Sequence, residues 1–392
     1  MKLNTTYTSR DVNYNEEKFI TLDKHFTKMI EDKSISGAAY SMSRYGKKFV
    51  EKSVGSMSYD IGDSRALKPD AIFSIYSVTN LFTAVAVFKL IEDGEFRLDT
   101  PVGDIIEEFK QGPFKDINIT HLLSHTSGIN PDKGAFENPY YMSPWDYIKQ
   151  GHENGDDNWI KNGLKCGMRN DTDKEWVYSS FGYNLLGEVI SRVSGMFAED
   201  FIEKEILKPC ELWDTCFAQK LEKKLVDRIV IMDKKSYDIA KRLHNNIPLE
   251  NTDLEKRINR IPATGGGLFS TTSDLVKFGN MLLNNGYHGD SRILGRLTIS
   301  RMTTRYTGSH IKDYCGGAAG TECEYGLGPD IRYNLTSFYT KGSYYHEGKG
   351  ASCLIMDPKE KMVAAWVVPL LDDKYYGKAI HNTSGIMWSG IL

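Results

Sequence analysis

The spacing of apolar residues predicts strands near both ends of the chain. Residues 36–57 alternate around Tyr45-Gly46, which is typical of two strands joined by a turn. From about residue 325 the pattern returns to strands, where the apolar runs ASCLIMDP and KMVAAWVVPL flank a hairpin signal at residues 357–360. Together these runs favour one sheet that is built from both ends of the chain.

Helical spacing dominates the rest of the chain. A strongly apolar stretch from about Ser77 to Asp93, followed by the stop signal Gly94, predicts a helix packed on several sides. Residues 182–207 indicate two helical runs, and residues 265–285 predict one more, capped by Ser270 or Thr271. Residues 15–33 predict an amphipathic helix whose apolar positions are Phe19, Ile20, Leu22, Phe26 and Ile30.

Two further segments complete the expected layout. Residues 131–175 are rich in Gly, Asn, Asp, Pro and Trp, which indicates long ordered loops. A closing helix is expected from about Asp372 to Leu392. Helices between terminal strands favour a helical lobe inserted into the sheet-forming part of the chain.

Composition narrows the class of protein. The 392 residues include 49 basic and 52 acidic side chains, a net charge of −3, which gives no electrostatic reason to bind nucleic acid or anionic lipid. Six cysteines without CxxC spacing disfavour a disulfide scaffold, a zinc ribbon and a thioredoxin-like site. No apolar run approaches ~20 residues and no signal peptide is visible, so we expect a cytoplasmic protein, with a removed leader left open.

Ser77 stands at the predicted start of the apolar helix. The partial positive charge of a helix N-terminus favours negative charge developing on a hydroxyl oxygen, which suits a nucleophile. Serines are also common helix caps, so a purely structural Ser77 is the alternative.

Five segments carry a family resemblance by their order. They are FSIYSVTNLFTA (73–84), LDTPVGDII with ITHLLSHTSGI, VYSSFGYNLLGEVISRVSG (177–195), PATGGGLFSTTSDLVKFGNMLLNNG (262–286) and YHEGKGASCLIMDPKEKMVAAW (345–366). In this order they resemble the motifs of the serine β-lactamase and penicillin-binding-protein-like family, especially its esterase and AmpC-like branch, over roughly residues 20–388.

The resemblance implies an α+β fold, in which an α/β sandwich subdomain with an antiparallel sheet flanked by helices carries an all-α subdomain. A single domain is expected over residues 15–390. Its sheet subdomain would comprise about 15–75 and 290–392, and the inserted helical subdomain about 95–260.

The resemblance also assigns chemical roles. Ser77 takes the position of the nucleophile that attacks an acyl carbonyl and forms an acyl-enzyme. Tyr178 takes that of the base and later the acid, and His346, in a His-x-Gly triplet with Gly348, could assist it. The oxyanion hole would consist of the backbone N–H groups of Ser77 and Lys349. No metal or organic cofactor is implied, and the expected partner is a small acyl substrate.

Two positions depart from the family pattern. Asn80 stands where the family has the lysine of Ser-x-x-Lys, and an amide cannot accept a proton from serine at neutral pH. Ser180 stands at the usual Asn position, which weakens the expected contact to a substrate amide. Tyr178 could instead be a buried structural tyrosine, and His346 a solvated histidine at a strand edge.

Several other features have structural and functional interpretations. His121 and His125 are four residues apart, as helical metal ligands would be, but the segment lacks a zincin glutamate and favours a structural role. The Gly265–Gly267 run lacks the following Gly-Lys-Ser/Thr of a P-loop and indicates a tight turn. Aromatic residues in or near the middle loops could line an acyl pocket or pack the loops: Tyr140, Tyr141, Trp145, Trp159 and Trp176.

Three hypotheses about function follow. The first is a serine hydrolase or acyltransferase, of weak or altered activity, that acts on a small ester, amide or D-amino-acid peptide through Ser77. The second is a catalytically silent homologue that binds a ligand or a partner in the same cleft. The third is a variant in which the lysine was replaced to trap a complex. Ser180 in place of Asn favours an esterase-like role over an efficient β-lactamase.

Overall fold

The computed structural model describes residues 7–59, 63, 65–133, 141–245, 260–313, 323–331, 333 and 337–392. The α-helices are α1 (Glu17–Glu31), α2 (Thr79–Glu92), α3 (Ile119–Leu123), α4 (Pro144–Glu153), α5 (Trp159–Gly163), α6 (Ser180–Ser194), α7 (Ala198–Ile202), α8 (Lys234–His244), α9 (Thr272–Leu283), α10 (Arg296–Met302) and α11 (Thr383–Trp388). The strands are β1 (Gly37–Arg44), β2 (Lys47–Gly55), β3 (Phe73–Ser74), β4 (Glu175–Trp176), β5 (Cys216–Phe217), β6 (Leu268–Ser270), β7 (Tyr287–His288), β8 (Ser291–Arg292), β9 (Lys312–Asp313), β10 (Tyr344–Gly348), β11 (Ser352–Asp357) and β12 (Met362–Val367).

Five strands form the main sheet in the order β10-β11-β12-β1-β2, and every neighbouring pair is antiparallel. Ala39 of β1 lies opposite Val367 of β12, so the two ends of the chain meet in the middle of the sheet. At the β1–β2 turn, Tyr45 and Gly46 both have positive φ, 56° and 74°, as a two-residue hairpin turn requires. The predicted antiparallel α+β fold is therefore confirmed.

Helices cover both faces of this sheet. On one face α1 and α11 pack against alternate strand residues such as Tyr40 and Trp366. On the other face α9 packs against the intervening residues, including Leu354 and Val363. Because successive side chains of a strand point to opposite faces, β10, β11 and β12 each contribute to two separate cores.

The N-terminal helix agrees with its predicted bounds but not with every predicted core position. Phe19, Leu22 and Phe26 are buried, whereas Ile20 is 58% exposed. Met29 completes the buried stripe, since it lies three residues after Phe26 and seven after Leu22. Ile20 was wrongly assigned to the core because a step of one residue rotates a side chain by about 100° around the helix.

The central helix α2 is buried on nearly all sides, as its apolar sequence predicts. Its residues from Thr79 to Phe88 are buried without interruption. Phe82 stacks on Phe278 of α9, with ring centroids 3.8 Å apart and planes 13° from parallel. This helix therefore joins the sheet face covered by α9 to the helical lobe, where it contacts α6 and α7. Within the described ranges no helix has the length and apolar character needed to cross a membrane.

Other helices agree with the sequence in part. Helix α6 ends before Gly195, whose φ of 71° closes it, and α9 is capped by the Thr271 side chain, which accepts the N–H of Asp274. The expectation of loops over residues 131–175 is wrong for α4 and α5. Ser143 caps α4, and Pro144 at its first position favours the helix, so polar composition here marks caps as well as loops.

The closing helix is shorter than expected. Helical structure of mixed geometry runs from Asp373 to Trp388: a 3₁₀ turn over Asp373–Tyr375 and a wider turn over Lys378–Asn382 precede α11. Trp388 of α11 donates its indole N–H to the buried Asp357 carboxylate at 2.8 Å. This bond anchors the last helix to the turn that follows β11.

Candidate active site

Ser77 lies in a tight turn, residues 76–78, immediately before α2. The helix N-cap is Val78 and no side chain caps it, so Ser77 is not the capping residue. Tyr76 has a left-handed φ of 46°, which is costly for a non-glycine residue. The preceding residue, Ile75, is held on both sides: its N–H donates to Leu268 O at 3.1 Å, and its carbonyl accepts the Ser352 hydroxyl at 2.8 Å. These bonds hold the strained turn that presents the Ser77 side chain.

Tyr178 follows β4 and precedes α6. Its hydroxyl accepts a hydrogen bond from Asn80 Nδ2 at 2.8 Å. Burial raises the pKa of Tyr178 to about 12, although hydrogen bonds with Ser77, Asn80 and Ser180 lower it in part. The Tyr178 phenol is therefore protonated at neutral pH. Its hydroxyl is hydrogen-bonded to Ser77, the candidate nucleophile.

His346 lies in the edge strand β10, and the residue is 5% exposed. Its Nδ1 lies 2.7 Å from the carbonyl oxygen of Glu347. A carbonyl can only accept, so Nδ1 carries a proton and Nε2 carries a lone pair in the neutral ring. Asn80 Nδ2 lies 3.3 Å from that Nε2, and the hydroxyl of Tyr325 lies 3.5 Å from it.

Asn80 therefore contacts both candidate groups through one nitrogen. Its amide has two hydrogens, one for the Tyr178 oxygen and one for Nε2 of His346. The residue is fully buried, and its Oδ1 has no hydrogen-bond partner among the described residues. Position 80 supplies donors to the site but no charge and no proton acceptor of suitable basicity.

Gly348 lets the edge strand approach the nucleophile turn. A Cβ at this position would lie 2.3 Å from Ser352 Oγ, 2.5 Å from Ile75 O and 3.1 Å from the backbone nitrogen of Ser77. Only glycine fits this approach without displacement. Ser77, Gly348 and the exposed Lys349 line one cavity, in which the N–H of Ser77 is the first expected oxyanion donor.

Ser180 lies behind Tyr178 and contacts the site through that residue. Its backbone N–H donates to Asp132 Oδ2 at 2.7 Å, and its side chain bonds the Tyr178 hydroxyl. It is absent from the described residues that line the cavity. The structure thus brings Ser77, Asn80, Tyr178 and His346 together, with Ser180 reaching them through Tyr178.

The cavity has a volume of about 220 Å³, and five of its eleven lining residues are Trp or Tyr. It is lined by Ser77, Trp176, Tyr178, Tyr325, Asp330, Tyr345, His346, Glu347, Gly348, Lys349 and Tyr376. Of the aromatic residues in this wall, the sequence had suggested only Trp176 and Tyr178. Tyr345 begins the fifth motif segment but was not singled out there, whereas Tyr325 and Tyr376 lie outside the quoted motifs, so only the three-dimensional structure reveals these three rings as wall residues.

The paired histidines at 121 and 125 have separate structural contacts. His121 accepts the Asn118 N–H at Nδ1 and lies 3.2 Å from Asp173 through Nε2. His125 accepts the Ser179 N–H at Nδ1, and its ring lies 4.5 Å from that of Tyr178. His125 thus supports the wall of the site from behind. Among the described residues no group of three metal-ligating side chains is close enough to hold an ion.

The remaining candidates pack the fold. Trp145 and Trp159 both meet Phe181 edge-on, at 6.1 and 5.7 Å between ring centroids, and neither lines the cavity. The Tyr141 hydroxyl donates to the Pro131 carbonyl, whereas Tyr140 lies outside the described residues. A Cβ on Gly267 would lie 2.4 Å from the Ala263 side chain, as expected for a glycine run that makes a tight turn.

A serine, a tyrosine and a histidine around one small cleft, beside an antiparallel sheet with an inserted helical lobe, define a protein of the β-lactamase and transpeptidase type. The sequence profile described as Beta-lactamase matches residues 22–378. Because this match spans most of the chain, the protein belongs to the Beta-lactamase family.

Known relatives agree with this assignment. Penicillin-binding protein 4* of Bacillus subtilis (strain 168) is 26% identical over 234 residues, which are 58% of this chain and 48% of that protein. This chain therefore spans about half the length of the curated relatives that it matches. EstCE1, a hydrolase with promiscuous acyltransferase activity, superposes with a TM-score of 0.70 at 16% identity, covering 95% of this chain and 99% of the other. A mutant of simvastatin synthase from Aspergillus terreus gives 0.71 at 18% identity, covering 95% and 98%. These structural likenesses establish the fold alone.

Proposed function

We propose that this protein is a slow serine acyl-transfer enzyme that acts on small esters or amides through an ester on Ser77. One observation carries the proposal: Asn80 donates to the Tyr178 hydroxyl, which in turn bonds Ser77, so the route for the serine proton is intact. EstCE1 and simvastatin synthase, whose names record acyl transfer or synthesis, share this fold.

The proposed acylation of Ser77 needs only Tyr178 as base and acid and a backbone N–H as oxyanion donor. Ser77 Oγ attacks the acyl carbonyl while its proton passes to the Tyr178 phenolate. The carbonyl oxygen gains negative charge beside the Ser77 N–H, and the bond to the leaving group breaks as Tyr178 returns the proton to it. Water or another nucleophile then releases the acyl group by the reverse route.

The missing charge at position 80 makes this enzyme slow at neutral pH. With its pKa raised to about 12 by burial, Tyr178 is almost entirely protonated at pH 7. The rate should rise about tenfold per pH unit as long as the fold persists. His346 does not replace the lysine, because its Nε2 lone pair faces the Asn80 amide.

Acylation is tested by intact mass after incubation with 4-nitrophenyl acetate and with a fluorophosphonate, at pH 7 and pH 9.5. Labelling of the unmodified protein, faster at pH 9.5 and absent in Ser77→Ala, supports the proposal. An unchanged mass at both pH values, with the fold intact by circular dichroism, would overturn it.

A catalytically silent homologue is the second candidate. It is favoured by Asn80 itself, which places a neutral amide instead of a cation beside Tyr178 and His346. On this alternative the cleft binds a small ligand without forming a bond to Ser77. Binding without any mass change would support it.

A further inference from the structure

We infer that the acyl group accepted beside Ser77 is a small aromatic one, of the size of phenylacetyl. This inference rests on the proposed function and names its substrate class. It starts from the five aromatic side chains that line the cavity: Trp176, Tyr178, Tyr325, Tyr345 and Tyr376.

The walls are held in place before any ligand arrives. Trp176 is 3% and Tyr325 1% exposed, and their ring centroids lie 5.2 Å apart. Behind them the His125 ring lies 5.3 Å from Tyr325 and 5.7 Å from Trp176. Because these rings are packed against one another, this part of the wall is held in place and does not have to become ordered when a ligand binds.

Two phenol hydroxyl groups of the wall are satisfied by acceptors within the protein. The Tyr325 hydroxyl donates to the Gly328 carbonyl at 2.9 Å, and that of Tyr376 donates to the Glu347 carboxylate at 2.7 Å. Each phenol thus has an acceptor within the protein. A neutral aryl group therefore suits this wall, since edge-to-face and offset contacts between rings add to apolar burial.

The volume of the cavity limits the size of the acyl group that it can hold. A protein cavity of about 150 Å³ is known to hold benzene, and one water-sized group fills about 30 Å³. The 220 Å³ present here accommodates a benzene ring with roughly two further small groups, such as the methylene and carbonyl of an arylacetyl chain. A fused bicyclic ring would have to extend beyond the lined volume into solvent and would leave part of its surface unburied.

Binding of unreactive amides tests the inference without any need for catalysis. Dissociation constants would be measured by ligand-observed NMR for phenylacetamide, cyclohexylacetamide and 1-naphthylacetamide. Apolar burial alone favours the cyclohexyl compound, because its ring exposes more aliphatic surface to water. Ring contacts predict that phenylacetamide binds about tenfold more tightly than either other amide.

Substitutions at Trp176 test whether this side chain produces the preference for a phenyl group. Trp176→Leu should abolish the preference for phenyl over cyclohexyl, Trp176→Phe should retain it, and Trp213→Leu is a matched control because Trp213 is 69% exposed and outside the cavity. If Trp176→Leu does not fold, the ranking on the unmodified protein still decides. Equal affinity for phenyl and cyclohexyl, or tightest binding of the naphthyl compound, overturns the inference.

Two activated esters distinguish failure of the aromatic pocket from failure of the proposed acyl-enzyme on which it rests. 4-Nitrophenyl phenylacetate should acylate Ser77 about tenfold faster than 4-nitrophenyl cyclohexylacetate. Preferential binding of phenylacetamide without acylation would refute the acyl-enzyme but uphold the aromatic pocket. Equal acylation by both esters would refute the pocket but uphold the enzyme.

Discussion

The amide nitrogen of Asn80 lies 2.8 Å from the hydroxyl of Tyr178 and also 3.3 Å from Nε2 of His346. A lysine ammonium would offer three N–H donors and a positive charge, whereas this amide offers two donors and no charge. Position 80 therefore separates two properties that a lysine combines. The hydrogen bond to Tyr178 is present, but a neutral amide cannot stabilise a phenolate as a cation would.

Restoring the charge should restore activity near neutral pH. In Asn80→Lys we expect hydrolysis of 4-nitrophenyl acetate at pH 7 to rise at least about tenfold, since a nearby cation lowers the pKa of a phenol. The alkaline limb of the pH–rate profile should move to lower pH. Steady-state rates between pH 6 and 10 measure both effects.

The matched control is Asn80→Met, which has a length similar to lysine but no charge. It should leave the rate at pH 7 no higher than that of the unmodified protein. An equal gain in both variants would show that side-chain length, and not charge, limits the reaction.

Removing the phenol should remove the alkaline rise itself. Tyr178→Phe is expected to slow acylation of Ser77 at pH 9.5 by about 10²–10⁴, because the group that accepts the serine proton is gone. Tyr45→Phe is the control, since Tyr45 is 50% exposed on the β1–β2 turn. A pH profile that still rises in Tyr178→Phe would assign the rise to hydroxide.

The close approach at Gly348 should not tolerate a side chain. In Gly348→Ala the new Cβ would meet Ile75 O at 2.5 Å, which pushes β10 away from the turn that carries Ser77. We expect a loss of about 1–3 kcal/mol in the free energy of unfolding, measured by urea denaturation, and a marked loss of acylation. Gly377→Ala is the control, because its nearest neighbour would lie at 3.8 Å and its φ is −57°. Equal stability of the two variants would contradict this packing.

The pKa of Asp173 predicts how the free energy of unfolding changes with pH. Burial raises its pKa, but hydrogen bonds from His121, Thr126 and Tyr306 outweigh this, so the pKa lies below its usual value. A lowered pKa means that the stabilisation is present above about pH 4 and is lost as the carboxylate protonates at lower pH.

Asp173→Asn should therefore lower the free energy of unfolding at pH 7 by about 1 kcal/mol, a modest figure because the side chain is 36% exposed. The difference should shrink as the pH falls towards 3. Urea denaturation at several pH values measures it, with the exposed Asp171→Asn as control. A difference that is independent of pH would contradict the role of the charge.

The sequence predicts the elements whose burial is periodic. The buried stripe of α1, the all-round apolar α2 and the strands β11 and β12 follow from local patterns, because each faces a continuous core. Helices α4 and α5 escaped prediction, since short helices with strong polar caps at Ser143 and Asn158 resemble loops in composition.

The sequence predicted only some of the residues of the candidate active site. Motif order indicated Ser77, Tyr178 and His346, and the structure places all three around Asn80. The wall formed by Tyr325 and Tyr376 carries no such signal, because contacts between distant segments leave no periodic trace in the sequence. The bridging role of Asn80 was likewise invisible, since it depends on two interatomic distances.

The position of β1 between β2 and β12 has a consequence for synthesis on the ribosome. The β1–β2 hairpin can form early, but one edge of β1 has no native partner until residues 362–367 have been translated. An unpaired strand edge invites association with other chains, and such distant pairing is slow to form. Nascent chains that stall before residue 362 should therefore aggregate or recruit chaperones more than those released after residue 367.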